Sequence, residues 1–70
     1  MQRIPVLSTN IQSIGYDSQS TTLEVEFKSG DVYRYFNVPE LLHQKLMKAS
    51  SKGRFLNDYI KYSYRYQKVG

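Results

Sequence analysis

Two short runs of alternating residues, separated by three that must turn the chain, constrain this sequence more than any other feature. Thr22 to Phe27 (TLEVEF) puts Leu23, Val25 and Phe27 on one side and Glu24 and Glu26 on the other, the period of a strand with one buried face. Lys28-Ser29-Gly30 follows, and Asp31 to Phe36 (DVYRYF) alternates again in residues that favour strands. The pair makes an antiparallel hairpin, and the turn length decides its register. A two-residue Ser29-Gly30 turn sets Arg34 opposite Val25 and Glu24 opposite Tyr35. A three-residue loop with Gly30 in the left-handed conformation sets Val25 against Tyr33, Leu23 against Tyr35 and Glu24 against Arg34. The second register gives a face of apolar pairs and opposite charges across the other face, so it is the one expected. It assigns Tyr33 and Tyr35 to the core and turns Val32 and Phe36 outward as a modest apolar patch.

The rest of the chain arranges itself around this hairpin. Residues 1–10 have no clean period and contain Pro5, which reads as an irregular lead-in or an edge segment. Residues 11–16 (IQSIGY) form a short strand in which Gly15 marks a bulge or a close approach of backbone. Asp17 to Thr21 (DSQST) is turn chemistry. Asn37-Val38-Pro39-Glu40 starts a helix: proline lacks only an N–H that is unpaired there anyway, and Glu40 complements the positive end of the dipole. This helix is expected from Pro39 to Ser51, with Gly53 as a left-handed stop just beyond it. Leu42, Leu46 and Ala49 make its buried stripe, and Lys45, Lys48 and Lys52 a basic stripe well away from it, with Leu41 among the lysines. Arg54 to Ile60 reads as a short second helix that holds only by docking, with Phe55 and Ile60 in the core. Lys61 to Val69 (KYSYRYQKV) alternates sharply, with Tyr62, Tyr64 and Tyr66 on one side, and reads as a terminal strand.

The resulting fold class is α+β: an antiparallel three-stranded meander, a packed helix, a short second helix and a C-terminal strand, all in one domain over residues 1–70. Seventy residues allow no second domain. The absence of cysteine excludes a disulfide framework, a thiolate zinc site and a cysteine nucleophile. No run approaches the ~18 apolar residues of a membrane span, and no basic segment leads an apolar one at the N-terminus. The expectation is a small soluble cytoplasmic module with neither membrane association nor a bound cofactor.

Catalytic templates find no purchase. His43 is the single histidine. It has no acidic partner supplied by spacing, and Ser50 and Ser51 lie two turns away, so it reads as a partly exposed residue beside the apolar stripe. Glu24 and Glu26 share a strand face, which is more commonly solvated surface than an acid/base pair. Gly30-Asp31 lacks the glycines and the Lys-Ser/Thr of a phosphate loop. No cluster of carboxylates and imidazoles offers a metal its ligands. The domain is read as not an enzyme by itself.

Charge is where function enters. Residues 1–44 carry Arg3, Lys28 and Arg34 against Asp17, Glu24, Glu26, Asp31 and Glu40, a net −2, whereas residues 45–70 carry Lys45, Lys48, Lys52, Arg54, Lys61, Arg65 and Lys68 against Asp58 alone, a net +6. Four of the seven tyrosines fall in the last twelve residues. Basic residues interleaved with aromatics point to a polyanionic partner; the competing reading is a solvated surface that keeps a small domain in solution.

The ordered series Gly15-Tyr16-Asp17, Leu23-x-Val25-x-Phe27, Gly30, Val32-Tyr33-x-Tyr35, Asn37-Val38-Pro39, Ala49-Ser50-x-x-Gly53 and Phe55-x-Asn57 resembles the KTSC domain. That family is named for a C-terminal extension of some lysyl-tRNA synthetases and also occurs as small stand-alone bacterial proteins. The resemblance spans residues 8 to 67, with the Tyr-x-Tyr of Tyr33 and Tyr35 at its centre. It implies an RNA-binding role by attachment to synthetases and assigns no catalytic residue. The candidate nucleic-acid-binding residues are therefore Lys45, Lys48, Lys52, Arg54, Lys61, Arg65 and Lys68 for phosphates, with Tyr62 and Tyr64, and also Tyr66, for unpaired bases. Buried tyrosines would leave only the electrostatic part. The alternative is a module that binds another protein or its own copy, because so small a core rarely supplies more than about 3–5 kcal/mol and association is a common remedy.

Overall fold

The computed structural model describes residues 1–70. Its elements run β1 (Arg3–Pro5), β2 (Ile11–Asp17), β3 (Thr22–Phe27), β4 (Val32–Tyr35), α1 (Glu40–Lys48), α2 (Lys52–Tyr59) and β5 (Tyr66–Lys68). The five strands form one antiparallel sheet in sequence order, so the two helices are inserted between neighbours β4 and β5. The α+β class stands, and the sheet is wider than a three-stranded meander because the lead-in pairs as edge strand β1.

The β3–β4 hairpin adopts the three-residue-loop register, with Leu23 opposite Tyr35, Glu24 opposite Arg34 and Val25 opposite Tyr33. The Phe27 amide donates to the Asp31 carbonyl at 2.8 Å and the Gly30 amide to the Phe27 carbonyl at 2.9 Å. Gly30 has φ of +100°, a conformation that a Cβ disfavours.

Gly15 proves to be a close approach: a Cβ there would lie 2.9 Å from the Gln2 carbonyl oxygen and 3.1 Å from the Arg3 Cγ. The bulge in β2 lies instead between Ile11 and Ser13. Arg3 pairs opposite Gly15, and Gly15 pairs opposite Glu24. The bare glycine lets the Arg3 side chain cross β2 and bond Glu24 on β3, while Arg34 reaches the same carboxylate from β4 at 2.8 Å. Burial alone pushes the Glu24 carboxyl up, but the hydrogen bonds from Arg34 and Arg3 outweigh it and hold the group below its ordinary value.

On the opposite face nine apolar side chains are buried: Ile11, Ile14, Leu23, Val25, Tyr35 and Val38, with Leu46, Leu56 and Ile60 from the helical segment. Leu42, Phe55 and Tyr64 pack against this cluster in part. The start of α1 is braced by the Val38 amide on the Thr21 carbonyl (2.9 Å) and by the Tyr16 hydroxyl on the Val38 carbonyl (2.6 Å). His43 stacks on the Tyr16 ring at 4.5 Å. Half-buried there, it has a pKa lowered by burial against the opposing pull of Glu40.

Two expectations are corrected. The first helix stops at Lys48 rather than Ser51, because Ala49 is extended and Ser51 caps a new helix by accepting from the Arg54 amide. Gly53 is therefore no left-handed stop. It lies in the first turn of α2, where a Cβ would crowd only the end of the exposed Asn10 side chain. The terminal strand shrinks from Lys61–Val69 to Tyr66–Lys68. Residues 61–64 continue instead as turns off α2, with the Lys61 amide on the Leu56 carbonyl and the Ser63 and Tyr64 amides on the Ile60 carbonyl. Leu56, Ile60 and Tyr64 recur every fourth residue, and burying that helical stripe outweighs the tyrosine alternation.

The outward patch is also smaller than its sequence implies. Val32 exchanges backbone bonds with Gly70, and the Arg65 guanidinium sits 5.7 Å from the centre of the Phe36 ring, so both residues are half-buried.

Candidate nucleic-acid interface

Where the aliphatic core ends, the same sheet face turns aromatic. Tyr33 and Tyr35 on β4 and Tyr66 on β5 have ring centres 5.8 to 6.5 Å apart, and Phe27 meets Tyr33 edge-on at 5.8 Å. These rings line an open cleft of about 560 Å³, within the size range of ligand sites. Its walls are the β3–β4 loop with Lys28, Ser29 and Asp31, the turn with Lys61 and Tyr62, and Thr9-Asn10. No helix covers this part of the face, since the chain leaves α2 in the turns that carry Lys61 and Tyr62.

The rings are not equivalent. Tyr62 is 79% exposed and Tyr66 57% exposed, so both offer faces to a ligand. Tyr35 is only 2% exposed yet lines the cleft. No side-chain nitrogen or oxygen in the chain is both sealed from solvent and without a partner. Tyr16 is the one tyrosine whose hydroxyl bonds within the chain, so the Tyr35 hydroxyl is the part of that residue that meets the cleft. Burial pushes it up to about 12, and the neighbouring phenols of Tyr33, Tyr66 and Tyr62 add to the shift. Tyr35 therefore remains a protonated donor at neutral pH.

The candidate residues named from the sequence divide into two groups. Lys61 and Tyr62 line the cleft, with the Lys61 ammonium 5.6 Å from the Tyr62 ring centre. Lys68 stands opposite Tyr33 on β5 and pairs with Asp31 of the cleft wall at 3.5 Å. The others lie elsewhere. Lys45 and Lys48 occupy the last turn of α1, where cations complement the helix dipole. Lys52 is half-buried and donates to the Ala49 carbonyl at 3.1 Å, capping the end of α1. Arg54 faces Asp58 at 3.9 Å, one helical turn on. Arg65 covers Phe36, and Tyr64 is packed against the core. Sequence reasoning missed Lys28, hidden in a turn, and it assigned Tyr33 and Tyr35 to the core without a role at its open margin. No three carboxylate, imidazole or thiol groups lie together in a metal-binding cluster, and no helix is long and apolar enough to cross a membrane.

Comparison with known proteins decides the family. The KTSC domain model matches residues 7–67, nearly the whole chain. The chain belongs to the KTSC family. A crystal structure of a KTSC domain protein from Yersinia pestis superimposes with a TM-score of 0.95 at 46% identity, covering 99% of this chain and 97% of that one. An uncharacterized protein from Stutzerimonas stutzeri is 43% identical over 70 residues and is matched over 99% of both chains. A lysine–tRNA ligase from Trichormus variabilis is 39% identical over 59 residues, which is 84% of this KTSC chain but only 10% of the ligase. The KTSC fold therefore occurs both at the length of this chain and as a small part of a much larger protein.

Proposed function

We propose that this KTSC domain is a cytoplasmic, non-catalytic module that binds unpaired RNA in the tyrosine-lined cleft. One observation carries the reading: two exposed tyrosines, Tyr62 and Tyr66, line a cleft that no helix residue lines, with the Lys61 ammonium 5.6 Å from the Tyr62 ring centre. A single strand needs both features, π-faces for its bases and cations for its phosphates. Lys28 and Lys61 supply charge at the cleft, and Lys68 balances Asp31. The likeness to part of a lysine–tRNA ligase supports RNA as the partner. The cations on the helices, Lys45 and Lys48 above all, add a long-range attraction that salt screens.

The test is a titration against a labelled single-stranded oligoribonucleotide and a duplex of the same length, at about 50 and 200 mM salt. Binding that favours the single strand and drops by about 5- to 150-fold in Tyr62→Ala supports the reading, since one stacked base is worth about 1–3 kcal/mol. No binding at about 50 mM salt overturns it.

A second reading rests on a different observation. Leu7 is 94% exposed, with Ile4 and Met1 also exposed along the β1 edge of the sheet. Such an edge can pair with another chain, whether a different protein or a second copy. Light scattering over a concentration series separates the outcomes: a mass that doubles, and returns to the monomer value in Leu7→Lys, supports association through this edge.

A further inference from the structure

The RNA reading uses the faces of Tyr62 and Tyr66 and leaves the floor of the cleft without a role. A ring that is almost wholly buried cannot stack on a base. Tyr35 forms a triangle of rings with Tyr33 and Tyr66, whose centres are 6.5 and 6.0 Å from its own, and is only 2% exposed although it lines the cleft. A phenol hydroxyl that bonds nothing in the chain but opens on a cleft is a donor free for a ligand. Tyr35 is in that position, and Tyr33 beside it is similarly unengaged.

The chemistry at the rim selects the missing partner. Lys28 and Lys61 line the cleft, and the single carboxylate there, Asp31, is paired with Lys68 at 3.5 Å. The site is therefore positive and rich in neutral O–H donors. A cationic ligand would meet the two lysines, and an apolar one would leave the hydroxyls unpaired. An oxyanion takes O–H donors and ammonium groups together in charge-assisted hydrogen bonds.

We propose that the floor of the cleft is a phosphate-ester subsite, in which the Tyr33 and Tyr35 hydroxyls and the Lys28 and Lys61 ammonium groups hold one phosphate of a nucleotide whose base lies against Tyr62 or Tyr66. The inference rests on the RNA reading only for the nucleotide's being part of a strand; a free nucleotide presents the same phosphate chemistry.

Isothermal titration with adenosine 5′-monophosphate, adenosine and a single-stranded oligoribonucleotide tests the subsite, using the 70-residue chain. The expected result is that the monophosphate binds about tenfold or more tightly than adenosine, and that Tyr35→Phe brings the two together. Lys61→Gln, at an exposed position, gives the same convergence independently of any effect of Tyr35→Phe on folding. Equal affinity for the nucleoside and the monophosphate in the wild-type chain, or no measurable monophosphate binding, overturns the subsite. So does a preference for the monophosphate that both variants retain. The arms fail separately: a chain that binds the monophosphate through Tyr35 but ignores the oligoribonucleotide keeps the subsite and loses the RNA reading. One that binds the strand without regard to phosphate on the mononucleotide does the reverse.

Discussion

The inner face of the sheet has two halves that obey different rules. Over β2 and β3 it is largely aliphatic: Ile11, Ile14, Leu23 and Val25 are shut in with Leu46, Leu56 and Ile60, and Tyr16 and Phe27 pack at the margin. Over β4 and β5 it is phenolic, with Tyr33, Tyr35 and Tyr66 around an open cleft. The residue types match the coverage. An aliphatic side chain gains only by exclusion of water, whereas tyrosine buries a ring and keeps a polar end for a wet or ligand-filled space. The covered half holds the domain together, and the open half is available for binding.

The comparison breaks most readily at Leu46, the fully buried leucine of α1. Leu46→Ala should cost about 2–5 kcal/mol, comparable with the whole stability of so small a domain. Chemical denaturation should then show a collapsed or vanished cooperative transition. A loss under about 1 kcal/mol would mean that the covered half is not the stabilising one.

The outer face behind that covered half gives the next effect. Glu24→Gln leaves Arg3 and Arg34 without their shared carboxylate and should cost about 2 kcal/mol, since hydrogen bonds to charged groups contribute about 1.5–3. The folded-state pKa of Glu24 lies below its ordinary 4.5. Its stabilisation is therefore fully present above that value and is lost as pH falls through the folded pKa. His43, also lowered from its ordinary 6.5, adds an earlier step of the same sign: protonation favours the unfolded chain as pH drops below that value. Urea midpoints between pH 8 and pH 3 should accordingly fall in two stages. Glu24→Gln should diminish the more acidic stage, to which Asp17, held below its ordinary value by hydrogen bonds from Ser20 and Gln19, also contributes, and should leave the His43 stage unchanged.

The cleft supplies the small effects on stability. Tyr62→Ala removes an exposed ring and should change stability by no more than about 0.5 kcal/mol. Tyr35→Phe deletes a hydroxyl with no partner in the chain and should be neutral within the same ~0.5 kcal/mol or slightly stabilising. Thermal melts check both, and a large loss in either would erase the distinction between the two halves.

The hairpin and its register were legible because one glycine and two alternating runs admit a single pairing with an apolar face. The second helix and the core residues Leu46 and Ile60 were legible from spacing. The boundary between the helices was not, because Gly53 has two uses: a helix stop and a place in the first turn of a helix. Extended Ala49 and the Ser51 cap decide between them by starting a new helix around Gly53. The terminal segment misled for a related reason. Tyr62, Tyr64 and Tyr66 alternate like a strand, while Leu56, Ile60 and Tyr64 repeat like a helix, and tertiary packing favours the second pattern up to Tyr64. The proposed binding surface was legible in composition but not in place. The basic residues of the second half disperse into a cap, an ion pair on α2, a cover for Phe36 and the cleft wall. Lys28, from the acidic half, joins Lys61 because the β3–β4 loop folds over the same opening.

Amide chemical-shift mapping during titration with a single-stranded oligoribonucleotide at about 50 mM salt tests the central claim most directly. The account predicts shifts concentrated at Lys28, Tyr33, Lys61, Tyr62 and Tyr66, with Ile14, Val25 and Leu46 unmoved. Shifts confined to Lys45 and Lys48 on α1, with the cleft silent, would contradict it.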